Sequence, residues 1–324
     1  MKITSRLLTL LTVWLWTSFA YATTVPGPLV ETGWLAKNSK QVVILDVRKD
    51  VKSFTAKPLM AKDKKSGKLV VKRIGAHIPG AVLVNYSKIR VNRKRDGMKL
   101  EKIIPLKSDF ESFVKGLGVN KDSAIVIVSK GENNLDMTMA TRLYWQLKYY
   151  GHDNMAILNG GMSQWLKEKR SISIKANKVK AGNWNATAER NELLATNKEV
   201  AAGLKSGTQM VDNRPLSQYL GVYKKSYVYK KGHLPGAKSY PNELFVTNGT
   251  AKFHSVAKLR DLSKSMGIDT GAETITYCNS GHLATGGWFI MHELMGNKKV
   301  RMFDGSMHEW TKQKNAAVTS MKME

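Results

Sequence analysis

Cys278 is the only cysteine among 324 residues, and it sits in the run Glu273-Thr-Ile-Thr-Tyr-Cys-Asn-Ser-Gly-His-Leu-Ala-Thr285. A short β-branched stretch leads into the cysteine, a glycine-containing loop follows, and a helical pattern comes after it. The backbone N–H groups of a tight loop and the start of a following helix favour negative charge at that point. The thiolate is the nucleophilic form of cysteine. A lone cysteine in an arbitrary setting is ordinarily a small buried hydrophobe; here the flanking pattern points to a nucleophile. The seven histidines and one cysteine are scattered without ligand spacing, so no metal site is expected.

The N-terminus suggests where such a thiol works. Lys2 and Arg6 precede an apolar run over 7–16, and Ala20-Tyr21-Ala22 is a small-x-small cleavage site. Residues 1–22 therefore read as a secretory signal peptide, with a mature chain starting near Thr23 and a periplasmic or secreted location. No later stretch approaches the roughly 20 apolar residues of a membrane span, so no integral membrane segment is expected after cleavage. Without a second cysteine the chain forms no internal disulfide, and its stability must come from packed cores.

Charge narrows the partners. Removing residues 1–22 takes away Lys2 and Arg6, so the formal charge falls from +27 to +25. A field of that sign attracts anions. The basic residues are spread along the chain, with denser clusters at 62–73 and 90–102. No nucleic-acid-binding motif accompanies them, so the surface is expected to be solvated or to meet small anions or an acidic partner, not nucleic acid.

An internal repeat organises the whole chain. Val42-Val-Ile-Leu-Asp46-Val-Arg48 returns as Gln209-Met-Val-Asp212-Asn-Arg214, each a strand pattern ending in Asp-x-Arg. Gly75-Ala-His77-Ile-Pro-Gly80-Ala81 returns as Gly232-His233-Leu-Pro235-Gly236-Ala237. Asn159-Gly160-Gly161 with Trp165 matches Asp304-Gly305-Ser306 with Trp310 at the same spacing. In each copy β-branched runs alternate with helical patterns, which predicts a mainly parallel sheet flanked by helices. Ala284, Trp288, Met291 and Met295 fall on one face of the helix after Cys278 and are expected to face a core. The division that follows is 1–22 signal peptide, 23–170 first domain, 171–196 linker and 197–324 second domain, with a cleft between the domains available for a site.

The tandem arrangement, the doubled His-x-Pro-Gly-Ala element, the Asp-x-Arg strand ends and the Cys-x-x-Gly loop together resemble the two-domain rhodanese family of sulfurtransferases. The resemblance covers nearly all of the mature chain. It implies two tandem rhodanese-like α/β domains of which only the second keeps the nucleophile; the matching position of the first is Ser129, whose loop to the helix reads about four residues longer. It further implies ping-pong catalysis through a persulfide on Cys278 and no cofactor. Amides of the active-site loop Asn279, Ser280, Gly281, His282, Leu283 and Ala284 would stabilise the sulfur anion, with Gly281 letting the chain curl close to it. The donor would be a small anion, thiosulfate or 3-mercaptopyruvate. The acceptor would be a thiol, cyanide or a thioredoxin-like protein.

The same resemblance assigns neighbours. Arg214 matches an arginine that holds the anionic end of the donor, with a structural ion pair as its alternative. A second such arginine falls on Gln218, a departure from the family pattern. Ser280 matches the Gly-Ser-Gly loop of mercaptopyruvate-using relatives, whereas Asn279 matches neither donor type. His282, where many relatives carry valine, is placed to bind an anion, protonate a leaving thiolate or point to solvent. His77 and His233 recur in both copies, which favours a structural role; Asp46 and Asp212 are expected to brace loops. Cysteine phosphatases and arsenate reductases need an arginine six residues after the cysteine, and Ala284 stands there. A non-catalytic exported module that binds a redox or sulfur-carrier partner through its thiol is the remaining alternative.

Overall fold

The computed structural model describes residues 23–65, 67 and 69–321; the expected signal segment lies outside them. The first repeat forms a five-stranded sheet in the spatial order Leu29–Val30, Met155–Leu158, Ile125–Ser129, Val43–Arg48 and Val82–Asn85, with every neighbouring pair parallel. The second forms a four-stranded parallel sheet in the order Lys238–Ser239, Gln209–Asp212, Thr274–Tyr277 and Val300–Met302. The central strands Ile125–Ser129 and Thr274–Tyr277 are buried along their whole length, as a parallel sheet covered on both faces demands. Two α/β units with parallel sheets flanked by helices are what the alternating pattern implies. Among the described residues no helix is long and apolar enough to cross a membrane.

In each unit the Asp-x-Arg strand lies directly beside the strand that leads into the loop of interest. Asp46 pairs in register with Val128, and Asp212 with Tyr277. The carboxyl ends of parallel strands are where such sheets place their sites, so Arg48 lands beside Ser129 and Arg214 beside Cys278.

The two units meet through a pair of helices. Asn134–Tyr149 belongs to the first; in the second, Ala284–Trp288 widens into a π-helical stretch over Phe289–Leu294. Ala284, Trp288, Met291 and Met295 are all buried as expected, but so are Thr285, Gly286, Gly287, Phe289 and Ile290. This helix has its own sheet on one side and the other unit's helix on the opposite side, so it is apolar nearly all round. Close approach requires glycine. A Cβ on Gly287 would stand 2.3 Å from Asn213 Oδ1, and one on Gly286 would stand 3.0 Å from Thr138 Cγ2.

The longer segment after Ser129 is not a longer loop, which corrects the sequence expectation. Asn133 caps the helix by accepting from the amides of Leu135 and Asp136, so the extra residues lengthen the helix at its start. Two antiparallel hairpins, Leu59–Lys62 with Leu69–Arg73 and Val91–Arg95 with Met98–Ile103, also went unanticipated. The second turns on Asp96-Gly97, both at positive φ, the pairing a tight two-residue hairpin requires. The segment 171–196 is no loose tether. Trp184 is buried against Phe110 and donates to His152 Nδ1 at 3.2 Å, and Leu194 bridges to Met302 at the edge of the second sheet.

Candidate active site

Cys278 follows the strand Thr274–Tyr277 at its carboxyl end and is 1% exposed. Its loop is anchored from behind by Ser306. The Ser306 hydroxyl accepts from the amides of Cys278 (3.0 Å) and Gly281 (3.2 Å), donates to the Phe303 carbonyl (2.7 Å), and lies 3.9 Å from Sγ. To hold that position Ser306 takes φ +52°, a left-handed conformation that costs a non-glycine residue roughly 1 kcal/mol or more. Gly281, at φ +65°, has no room for a side chain: a Cβ would stand 2.6 Å from the Asp304 carbonyl oxygen.

The Gly281 amide is thereby committed to Ser306. Among the described residues, the amides of Asn279, Ser280, His282, Leu283 and Ala284 donate to no protein acceptor. Buried N–H groups left unpaired are rare. Five such amides in the loop that follows the buried sulfur are available to an anion.

The first unit holds this loop open. Arg142, fully buried on the helix Asn134–Tyr149, donates from Nη1 to the Gly281 carbonyl at 2.8 Å and to Asp304 Oδ1 at 2.7 Å. Arg90 donates from Nη1 to the Ser280 carbonyl at 3.1 Å. The Gly281 carbonyl shares its peptide unit with the unpaired His282 amide, and the Ser280 carbonyl shares its unit with the Gly281 amide that Ser306 holds, so the two arginines and the serine fix both units. Asp304 also accepts from the Ile104 amide (3.0 Å) and from Arg95 on the Asp-Gly hairpin (3.2 Å), and Arg95 pairs with Glu309 as well. Burial pushes the Asp304 carboxyl up, but Arg142 and Arg95 outweigh it and hold it below the usual carboxylate range.

The other sequence candidates are placed as follows. Asn279 gives its Nδ2 to Gln218 Oε1 at 2.7 Å, and Gln218 in turn donates to the Tyr223 hydroxyl at 2.7 Å. The residue that replaces a cation therefore braces the loop. Arg214 is held by Asp212 at 2.6 Å and by the Gly232 carbonyl at 2.7 Å. Arg48 makes the same brace with Asp46 and the Ala76 carbonyl beside Ser129, where there is no thiol. His77 and His233 also repeat each other: each Nδ1 meets a backbone carbonyl at 2.8 Å, and each ring stacks on an aromatic at 3.8 Å.

His282 Nε2 lies 2.9 Å from Thr138 Oγ1, whose own proton goes to the Leu135 carbonyl. Burial first, then Arg90 and Arg142, push the His282 imidazolium well below its ordinary range. The ring is neutral, and an anion near it would meet a dipole, not a charge.

Beside the loop opens a cleft of about 1140 Å³, walled by Tyr86, Arg90 and Lys102 of the first unit and by Lys225 and His282 of the second. Arg90, Arg142 and Ser306 were not singled out in the sequence. Arg90 opens the noted basic cluster, and Ser306 stands in a matched motif where the other copy has Gly161; that difference was the available signal.

The rhodanese-like domain model matches residues 31–168 and again 196–313. A thiosulfate sulfurtransferase from Cricetulus griseus is 29% identical over 242 residues, covering 72% of this chain and 77% of its own. The sulfur carrier protein TtuD from Thermus thermophilus is 25% identical, covering 88% and 94%. The 3-mercaptopyruvate sulfotransferase SseA from Escherichia coli shares the fold, with a TM-score of 0.69 at 23% identity over 86% of this chain and 98% of its own. The chain belongs to the rhodanese-like domain family, of which it carries two tandem copies, and it stands among sulfurtransferases.

Proposed function

We propose that the protein moves a sulfane sulfur from a small anionic donor, thiosulfate or 3-mercaptopyruvate, to a nucleophilic acceptor through a persulfide on Cys278. The observation that carries this reading is the set of five amides without a protein acceptor in the loop that follows a buried thiol and is tied to Ser306. The Cys278 thiolate attacks the donor's outer sulfur. With thiosulfate the S–S bond breaks and sulfite leaves with the electron pair; with mercaptopyruvate the C–S bond breaks and the pyruvate enolate takes up a proton. An acceptor thiolate or cyanide then attacks the outer sulfur of the persulfide, and Cys278 recovers its electron pair as thiolate. The cradle stabilises the anion at both stages.

The cations lining the cleft support an anionic donor, and the cleft's size supports an acceptor larger than cyanide. The test is intact mass after incubation with each donor. One added sulfur, about 32 Da, removable by cyanide or thiol, is expected for the wild type and not for Cys278→Ser. Sulfur transfer that survives in Cys278→Ser overturns the mechanism, and a wild type that gains no mass supports a thiol-binding module instead. We further propose export directed by residues 1–22. N-terminal sequencing of protein from the extracytoplasmic fraction should begin near Thr23, and a chain that keeps Met1 in the cytoplasm overturns it.

A further inference from the structure

We propose that Arg90 and Tyr86 of the first domain form the pocket that grips the negative end of the sulfur donor. This deepens the sulfurtransferase reading above and rests on it. In the second domain Arg214 is committed to Asp212 and Gly232, and Gln218 to Asn279 and Tyr223, which leaves Lys225 as the cation that domain contributes to the cleft wall. Arg90 uses only Nη1, toward the carbonyl and hydroxyl of Ser280, two residues after Cys278. Its Nε and Nη2 make no protein hydrogen bond, and it lines the cleft.

Tyr86 supplies the second observation. Its side chain is 4% exposed, its ring lies 5.0 Å under the Arg90 guanidinium and 5.0 Å from the His282 ring, and its hydroxyl has no partner. An unsatisfied buried hydroxyl is costly, and here it belongs to a residue that lines the cleft together with Arg90 and His282. Burial pushes the phenol up to about 12, so it is a neutral donor at physiological pH. Arg142 Nε and Nη2 and Gln146 Oε1 are likewise buried without partners one helical turn apart, and Gln146 Nε2 ties the turn carrying Arg90 by donating to the Ile89 carbonyl at 2.7 Å. The Tyr86 hydroxyl, an unpaired donor beside a half-used guanidinium, is what a sulfonate or carboxylate requires. The domain without a cysteine thus supplies a directional anchor for the donor, beside the point charge of Lys225 from the catalytic domain.

The probe is alkylation of Cys278 by iodoacetate, an anion, against iodoacetamide, its neutral counterpart. In both, the thiolate forms a C–S bond and iodide leaves. Raised ionic strength screens the general positive field. Arg90→Gln should lower the iodoacetate-to-iodoacetamide rate ratio about 10-fold or more, and Tyr86→Phe about 3-fold, each measured on folded protein. Arg90→Lys should stay within about 3-fold of wild type in this ratio. Parallel slowing with both reagents in Arg90→Gln would mean that the residue only positions the loop, and an unchanged ratio in Tyr86→Phe would remove the hydroxyl; either result overturns the proposal as stated. Should Arg90→Gln fail to fold, the other two variants decide it. The ratio needs no sulfur donor, so the pocket can stand even if the wild type gains no sulfur.

Discussion

Arg142, in the domain that has no cysteine, donates from Nη1 to the carbonyl oxygen of Gly281, three residues past Cys278, at 2.8 Å. The same nitrogen meets Asp304, two residues before the Ser306 that carries the Cys278 amide. One buried guanidinium therefore fixes both walls of the cradle. This gives the cysteine-free domain a role in the site and explains why the helix bearing Arg142 is buried along nearly its whole length.

Arg142→Met should strand the Asp304 carboxylate in the core with Arg95 as its remaining cation. Breaking a buried pair from one side costs about 3–5 kcal/mol, readable as a shift of the urea midpoint. Adding Asp304→Asn should recover part of that loss, because the uncompensated charge goes with it. A stability change under about 1 kcal/mol in the single variant would show that Arg142 does not hold the loop.

Ser306→Gly probes the cradle separately from stability. Glycine accepts φ near +50° without strain, which offsets part of the loss of three hydrogen bonds. The melting temperature should move by only a few degrees, while persulfide formation on Cys278 falls about 10-fold. Equal rates in wild type and variant would mean that the amides hold their positions without the hydroxyl. Ser129→Cys in the first domain should remain inert toward donors, since Gly161 replaces the supporting serine and the helix begins with a capping Asn133.

The tandem architecture was legible because it rests on local signals: β-branched runs, Asp-x-Arg ends and the doubled His-x-Pro-Gly-Ala turn each leave a mark within a few residues. The position of the Cys278 loop was legible for the same reason. The side chains that reach it from the first domain were not. Arg90 meets Ser280 across 190 residues of chain and Arg142 meets Gly281 across 139, and no periodicity encodes such contacts. The helix extension after Ser129 was misread because residue spacing counts inserted residues without saying whether they become loop or helix. The Asp96-Gly97 turn was readable but fell inside a stretch that its lysines and arginines marked only as basic.

Acid should loosen the seam between the domains at Glu293. Burial pushes its carboxyl up, but hydrogen bonds from His292 and from Tyr144 of the first domain, with the charges of Lys148 and Lys298, outweigh this and bring it down to about 2 from 4.5. A carboxyl depressed in the folded state stabilises the protein fully above its unfolded value and progressively less as pH falls toward the folded one. Stability should therefore drop between about pH 4.5 and 2, and Glu293→Gln should flatten that limb in urea titrations while lowering stability at about pH 7. An acid limb unchanged in the variant would place the sensitivity elsewhere.

Arg214 and Arg48 decide between a brace and a donor anchor, because they make the same contacts in the two domains and only one stands beside a thiol. Arg214→Gln and Arg48→Gln should each leave a buried aspartate unpaired and cost about 3–5 kcal/mol. If bracing is the whole role, the folded fraction of Arg214→Gln keeps its KM for the donor within about 3-fold. A contact made to the donor would instead raise KM about 10-fold or more, with no such rise in Arg48→Gln. The buried pairing with Asp212 and Gly232 favours the first outcome, and steady-state kinetics of the two variants side by side, corrected for folded fraction, would expose the second.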